Sequence, residues 1–588
     1  MKFAQIAAVF DAVEQENSRT AITVALADLL GKATPKEAAH IAYLSLGSLN
    51  PPYIGTQFNL AEKSLVAIVA KLLGRSLETV KTELKKVGDI GSVVAQYDWD
   101  GRSSVLSLVD VERALQDLLA VEGTGSQEVR EQKVLKLLTA LDAASAKYVL
   151  RIIEGNLRLG FSDMTLLDAF SWMHAGDKSV RAALEDAYNK CADIGLIAST
   201  LKEHGLAGIH AIAIVPGIPI RPAAAERLAD AAAIVKKLGQ CVAQPKLDGF
   251  RLQVHIDRRR GHPVVRFFSR NLVDMSAMFP DLVASLHDLP VHQLVAEGEA
   301  ICIDQQTGTF LPFQETVKRK RKHGIDEASQ ELPLKLFLFD VLYLDGHSLL
   351  EKTHEQRRKV LLELCDHKAI KSQDIIKPIE EVSIHNADEL YHYFEQTVSV
   401  GLEGLVVKRP DASYQPGKRN FNWIKLKRQE TGSLDDTLDC VILGYYAGQG
   451  KRAAFGIGSI LVGVYESKKD AFQTVAKIGT GFTDEEWRDL RKQCDKLQVA
   501  HKPHNVLCNQ ALSPDVWVEP SIVCMVRADE ITLSPLHTAG ATHEHSGYAL
   551  RFPRFMGYRP DKAATTATTP EEIKTLFDLQ FQKKAKKR

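Results

Sequence analysis

The chain changes texture once, at Val215-Pro216-Gly217-Ile218-Pro219-Ile220-Arg221-Pro222, and this stretch constrains the fold more than any other. Proline fixes φ and carries no backbone donor, so so dense a cluster can continue neither a helix nor a central strand. Before it, up to about Leu206, apolar residues recur at three- and four-residue steps, as in Ser64-Leu65-Val66-Ala67-Ile68-Val69-Ala70-Lys71-Leu72-Leu73 and Lys133-Val134-Leu135-Lys136-Leu137-Leu138. That period predicts an all-helical domain over residues 1–215. After it come short β-rich runs with interspersed helices: Phe250 to Ile256, Val264 to Phe268, Leu294 to Ile303, Lys335 to Leu344 and Gly404 to Lys408. These predict an α+β domain over 216–428. From about Arg428 a second β-rich section follows, with Cys440 to Tyr446, Gly458 to Tyr465, Gln473 to Ile478 and Ile522 to Leu533 as strands. It suits a small barrel of the oligonucleotide-binding (OB) type over 429–588, ending in a basic tail, Gln582 to Arg588, expected to fray. The fold class expected is multidomain α+β.

The helical third repeats itself weakly. Gly47-Ser48-Leu49 and Asp89-Ile90-Gly91 are echoed by Gly155-Asn156-Leu157 and Asp193-Ile194-Gly195, at offsets of 108 and 104 residues, which predicts two related halves. Arg151 and Arg158, seven residues apart, are expected on one helix face, where they are candidates for contacting a DNA phosphate backbone. The plainer account is a solvated helix with a glycine cap.

Composition narrows the function classes. With 74 basic and 74 acidic residues the net charge is zero, so any surface that binds nucleic acid must be local. The eight cysteines include no Cys-x-x-Cys pair, which argues against a zinc ribbon and a disulfide framework. No apolar run approaches the roughly 20 residues that span a bilayer, and no signal pattern opens the chain. A soluble, cytoplasmic monomer with no membrane partner is expected.

Gln244-Pro245-Lys246-Leu247-Asp248-Gly249-Phe250-Arg251 sets one lysine at the end of a β-like run with a turn signal after it. Alone this reads as a surface turn. A catalytic lysine needs surroundings that lower its pKa, by burial or by nearby cations. Other segments could supply them. Trp423-Ile424-Lys425-Leu426-Lys427 alternates with period two, so Lys425 and Lys427 share a face. Two such ammoniums repel by about 1 kcal/mol even in water unless an anion lies between them. Glu297-Gly298-Glu299 and Glu403-Gly404-Leu405-Val406-Val407-Lys408 place carboxylates on apolar strands, where an unpaired charge is costly. Phe339, in Leu336-Phe337-Leu338-Phe339-Asp340, could fill core or stack on a purine.

Taken in order, Lys246-x-Asp248-Gly249-x-Arg251, Ser269-Arg270-Asn271, Glu297-Gly298-Glu299, Phe339-Asp340, Glu403 to Lys408 and Trp423-x-Lys425-x-Lys427 resemble the motif series of covalent nucleotidyltransferases. Lys477-Ile478-Gly479-Thr480-Gly481-Phe482, Leu550-Arg551-Phe552-Pro553-Arg554-Phe555 and Arg559-Pro560-Asp561-Lys562 extend the likeness to ATP-dependent DNA ligases of the archaeal and eukaryotic replicative type. The resemblance implies an enzyme that seals nicks in duplex DNA through a lysyl-AMP and an adenylated DNA intermediate, in replication, repair and recombination. It implies ATP and Mg²⁺ or Mn²⁺ as cofactors and nicked double-stranded DNA as partner. A sliding clamp is a further candidate partner, although no clear clamp-binding peptide is found.

By the same resemblance Lys246 is the nucleophile, Glu299 takes the ribose hydroxyl, Phe339 stacks on adenine, and Glu299 and Glu403 hold the metal. Arg251, Arg419, Lys425 and Lys427 neutralise phosphate oxygens, and Arg270 acts near the nick phosphate. Arg551, Arg554, Arg559, Asp561 and Lys562 form the last barrel motif, which swings toward pyrophosphate about a hinge placed near Arg428 to Thr431. Gln244 departs from the family, which often carries Glu there to accept from the adenine amino group, so base selectivity is expected to be decided at this residue. Capping guanylyltransferases share the lysine chemistry but not the helical third, an RNA ligase is an alternative that nicked DNA against nicked RNA would separate, and NAD-dependent ligases carry a four-cysteine zinc site absent here. A non-catalytic DNA clamp on this fold would have lost the lysines. The basic run Lys318 to His323 is a candidate for touching DNA or a solvated loop, and His537, His543 and His545 lack the partners for a zinc site.

Overall fold

The computed structural model describes residues 1–99, 105–228, 230–259, 264–304, 308–311, 313–321, 324–366, 374–400, 402–427, 437–542 and 545–585. Its contacts gather into two units, one of residues 1–68 with 98–428 and one of 69–97 with 429–588. Among the described residues no helix is long and apolar enough to cross a membrane.

The region before the connector is helical, as its period predicts, from Phe3–Gln15 to Ile194–His210. Polar caps set the helix starts, because the first turn of a helix leaves backbone donors unmet. Asp193 shows how a cap also becomes a tertiary anchor. It accepts from Leu196 N at 2.9 Å and from the hydroxyls of Tyr43 and Tyr53 at 2.5 and 2.6 Å, tying the start of the last helix to the first half of the region.

The two echoed motifs do the same work in each half. Asp89, like Asp193, caps a helix, accepting from Gly91 N and Ser92 N. Gly47 and Gly155 both take the left-handed conformation, at φ 73° and 72°. The two glycine loops meet: a Cβ on Gly47 would fall 3.0 Å from Leu157 N and 3.2 Å from Asn156 N.

Arg151 and Arg158 do not share a helix face. The helix Ala143–Ile153 stops before Gly155, and Arg158 lies beyond it in a left-handed conformation at φ 61°. Arg151 is 2% exposed and its guanidinium holds Glu14 through two contacts, at 2.9 and 3.0 Å. Arg158 lies 3.8 Å from Glu154. The expectation that the two arginines share one helix face is therefore corrected, and the Arg151 guanidinium is engaged by Glu14.

The connector is ordered. Gly217 N donates to His255 Nδ1 at 3.0 Å, and Gln253 exchanges two hydrogen bonds with the Ile220 backbone, at 2.7 and 3.0 Å. Burial, then Arg266, holds His255 down to about 3, so its ring is neutral and can accept there.

Past it stand two sheets among the described residues. The strands are β1 (Ala224–Arg227), β2 (Cys241–Lys246), β3 (Phe250–Asp257), β4 (Val264–Ser269), β5 (Gln293–Cys302), β6 (Leu334–Leu344), β7 (His347–Ser348), β8 (Ile376–Pro378), β9 (Val382–Ile384), β10 (Gly404–Lys408) and β11 (Arg419–Lys427). One sheet runs β4-β3-β5-β6-β7 with β8 against β6, and the other β1-β11-β10-β2-β9. Each has its own apolar core: Leu252, Val254, Phe267 and Leu338 in the first, and Ile234, Ala243, Leu405 and Ile424 in the second. The basic run at Lys318 is not simply solvated, because Arg319 is buried against Asp281 at 2.7 Å; Lys322 and His323 lie outside the described residues.

The second unit is built on a curved, half-barrel sheet. It contains β12 (Leu438–Tyr446), β13 (Ser459–Glu466), β14 (Ala471–Ile478), β15 (Gln498–Val499), β16 (Val506–Leu507), β17 (Val516–Val518), β18 (Val523–Arg527) and β21 (Arg554–Tyr558), with β19 (Glu530–Ser534) and β20 (Gly547–Arg551) paired beside it. The single strand expected over Ile522 to Leu533 is two. β18 pairs with β12 and β21, whereas β19 pairs with β20, so the chain changes partners at Ala528-Asp529. The helix Pro570–Ala585 runs into the tail expected to fray, of which 586–588 lie outside the described residues. So does the expected hinge at Arg428 to Thr431.

Candidate active site

Strand register brings the lysine of the Lys-x-Asp-Gly motif to its partners. Gly404 on β10 lies opposite Lys246 on one side and Lys427 on the other. Glu403, one residue earlier, therefore sits between two ammoniums. Lys246 Nζ and Lys427 Nζ both contact its Oε2, the latter at 3.0 Å. Burial pushes the Glu403 carboxyl up, but the two lysines outweigh it and hold the group down at about 2. Gly404 adopts φ 140°, and a Cβ there would meet Leu426 O at 2.2 Å, so only glycine lets the three strands close up at this point.

One step along the strands, Val406 lies opposite Gln244 and Lys425, and Lys425 lies opposite Arg227 on β1. Lys425 and Lys427 share a face, as their alternation predicts. Burial first, then Arg419, Lys427, Arg270 and Arg227, holds the Lys425 ammonium below its ordinary range. Among the described residues Lys425, Arg270 and Arg419 have no carboxylate partner. Arg227 escaped the sequence reading because a four-residue edge strand gives no periodic signal.

The carboxylates of β5 divide by burial. Glu297 is 1% exposed; it holds Arg251 Nη2 at 2.9 and 3.0 Å and accepts from Tyr414 Oη at 2.8 Å. Arg251, expected on phosphate, is thus fixed by Glu297 and by Ala223 O at 2.9 Å, with its guanidinium 5.5 Å from the Phe339 ring centre. Arg251 and Arg270 line a cleft of about 540 Å³ shared with Tyr43, Ser48 and Asn50 of the helical region. Glu299 accepts from Gly249 N at 3.1 Å. Burial raises its carboxyl to about 7, against the pull of Lys246, Arg251 and the Gly249 N–H.

Phe339 is partly buried and meets Trp423 edge-on at 6.1 Å. The fully buried Lys408 lies 5.1 Å from its ring and donates to its carbonyl at 3.2 Å. Asp340 is bound by Arg357 at 2.7 and 3.2 Å, a structural pair. Gln244 Nε2 donates to Glu381 Oε2 at 2.6 Å, a partner that nothing near it in sequence announces.

Among the described residues no group of three or more His, Cys, Asp or Glu side chains could hold a metal; His543 lies outside them. Glu299 and Glu403 suit a hard divalent cation of the kind that takes one or two carboxylates and keeps its waters, because both are oxygen donors beside a cationic, phosphate-attracting surface.

In the second unit every basic member of the Arg-Phe-Pro-Arg and Arg-Pro-Asp-Lys motifs faces a carboxylate. Arg551 lies 3.6 Å from Glu530, Arg554 3.1 Å from Asp529, Arg559 3.1 Å from Asp439 and 2.8 Å from Asp561, and Lys562 2.5 Å from Asp439. Asp439, like Arg227 and Glu381, is a residue the sequence did not point to.

Three family models match the chain: DNA ligase N terminus over residues 2–171, ATP dependent DNA ligase domain over 222–427, and ATP dependent DNA ligase C terminal region over 453–562. A probable DNA ligase of Dictyoglomus thermophilum is 42% identical, with 99% of each chain covered. DNA ligase 2 of Thermofilum pendens is 37% identical over 99% of this chain and 98% of its own, and the DNA ligase of Sulfolobus acidocaldarius 35% over 99% of each. The solved structure Pmar-Lig_PreS3 superposes with a TM-score of 0.57 at 17% identity, over 94% of this chain and 99% of that one, a likeness of fold.

Proposed function

The chain belongs to the ATP-dependent DNA ligases, and from that premise we propose that it seals 5′-phosphate/3′-hydroxyl nicks in duplex DNA by three successive displacements at phosphorus, beginning on Lys246. In the first, unprotonated Lys246 Nζ attacks the α-phosphorus of ATP; the N–P bond forms, the α–β P–O bond breaks, and pyrophosphate leaves. In the second, a 5′-phosphate oxygen of the nick takes the AMP from the lysine. In the third, the 3′-hydroxyl attacks the activated phosphorus and AMP departs. Replication, repair and recombination are the processes that present such nicks.

The observation that carries this reading is the charge imbalance at Lys246. Two lysines share Glu403, and Lys425, Arg419 and Arg270 stand nearby with no carboxylate of their own among the described residues. Such a surface awaits an anion, and a polyphosphate matches it. Glu403 keeps the Lys246 amine aimed across β10 until phosphate oxygens take up the charges of Lys427 and Lys425. In-line displacement calls for this alignment and neutralisation more than for acid–base catalysis. Glu299, whose carboxyl can hold its proton near neutrality, is placed to hydrogen-bond the ribose hydroxyl, and Phe339 offers its face to the base. Mg²⁺ held by Glu299 and Glu403 would supply further neutralisation of phosphate charge.

Incubation with α-labelled ATP and Mg²⁺, followed by peptide mapping, tests the first step. A single labelled lysine at position 246 is expected, and a Lys246→Ala variant should lose the label by at least about 10³-fold. A variant that still forms the adduct overturns the assignment. Release of the label upon adding nicked duplex DNA, with closure of the strand, tests the other two steps.

A further inference from the structure

Gln244 is 2% exposed, and its amide is engaged at one end only. Nε2 donates to Glu381 Oε2 at 2.6 Å, and the same oxygen contacts His354 Nε2 at 2.8 Å, while Arg358 lies 3.9 Å from the other carboxylate oxygen. Sheet register sets up the contact. Val382 at the start of β9 lies opposite Ala243, so Glu381, one residue earlier, comes beside Gln244. The carbonyl oxygen of Gln244 has no hydrogen-bond partner among the described residues.

Which end of an amide carries nitrogen is decided here by chemistry, because a carboxylate only accepts and must therefore face the NH₂. Glu381 stays ionised: burial pushes its carboxyl up, but His354, Lys408 and Arg358 outweigh that and hold it below its usual range. The lone acceptor lies two residues from Lys246 on the same face of β2, across from Val406, which packs in one cluster with Phe339.

Resting on the reading that ATP charges Lys246, we propose that Glu381, braced by His354, is a positioning residue that locks the Gln244 amide with its carbonyl toward the nucleotide base, and thereby selects adenine over guanine. Adenine carries an amino donor at its 6-position, where guanine carries a carbonyl acceptor. A locked acceptor meets a donor in the first case and opposing lone pairs in the second, and a buried polar group left unpaired is what discriminates between ligands of like shape. A glutamine free to turn would offer NH₂ to guanine. Base choice therefore resides in the Gln244–Glu381 pair, and Glu381 never touches the nucleotide.

The test compares labelling of the full-length protein by α-labelled ATP and α-labelled GTP, with kcat and KM determined separately. The wild type should prefer ATP. Glu381→Ala should lower the ATP-to-GTP ratio of kcat/KM about tenfold, mostly through KM. Gln244→Glu alone would set two carboxylates against each other at the 2.6 Å contact and weaken ATP labelling. Gln244→Glu combined with Glu381→Gln restores a donor to the pair, reversed in direction, and should recover ATP labelling and its preference. Equal losses for both nucleotides in Glu381→Ala, or a double variant no better than Gln244→Glu, overturn the lock. The double variant decides where Glu381→Ala fails to fold. A wild type that forms no lysyl adduct with either nucleotide overturns instead the reading on which the lock rests.

Discussion

The protein carries two clusters of basic side chains, one in each unit, and they are finished differently. Around Lys246 the cations outnumber the carboxylates among the described residues: Lys246 and Lys427 divide one glutamate, and Lys425, Arg419 and Arg270 have none. In the cluster of Arg559 each cation has an acid, with Asp439 shared between Arg559 and Lys562, Asp561 on Arg559, and Glu530 and Asp529 matched to Arg551 and Arg554. Clusters of the same residue types thus divide into one that requires an outside anion and one that is satisfied at rest. The difference teaches that a motif's basic residues must be weighed with their distant acids before a role is given to them.

The largest effect that would break this contrast is at Lys425. Its replacement by Ala removes charge that no carboxylate among the described residues takes up, and it should slow lysyl-AMP formation about 10²- to 10³-fold in a single-turnover assay. A loss under threefold would mean that the imbalance is incidental. A smaller effect, of opposite sign, is expected at Asp439. Asn there removes the acid that holds Arg559 and Lys562; if those cations serve the first step, as the likeness to the family's last motif implies, lysyl-AMP should form a few-fold faster. A slower first step would show that the balanced cluster is structural.

The smallest effect concerns Glu299. Its carboxyl ionises at about 7 in the folded chain against 4.5 ordinarily, so the folded state binds its proton more tightly than the unfolded state does. Its stability contribution is full below about pH 4.5 and falls away as pH rises through 7. Glu299→Gln should match the wild type at pH 4.5 and exceed it by about 2–3 kcal/mol at pH 8. Calorimetric Tm values across that range check this; a constant difference would sink it.

What the sequence made legible follows the same divide. Lys246, Lys425 and Lys427 sit on strands, and Glu403 just before one, whose alternation and order along the chain carry their meaning; register then places them side by side. Arg158 was misread because a helical period continues on paper past the point where Gly155 turns left-handed and ends the helix. Arg251 shows another limit: the acid that holds it, Glu297, is 46 positions away on the adjacent strand, and nothing near Arg251 in sequence announces it. Glu381 and Asp439 were invisible for the same reason, since each acts on a side chain more than a hundred residues distant. The strand over Ile522 to Leu533 was read as one because partner exchange leaves no mark on local hydropathy.

The connector between the helical third and the sheets has a consequence for how the chain is made. Its bonds run both ways: Ala192 N donates to Pro219 O and Arg221 N to Asn189 O in the helical region, each at 2.9 Å, while Gly217 and Ile220 donate to His255 and Gln253, more than thirty residues further on. In the order of synthesis the partners at Asn189 and Ala192 come before the connector and those on β3 come after it. Proline and glycine, which join neither helix nor sheet, thus leave this stretch as a clasp whose first half has its partners at once and whose second half waits for β3.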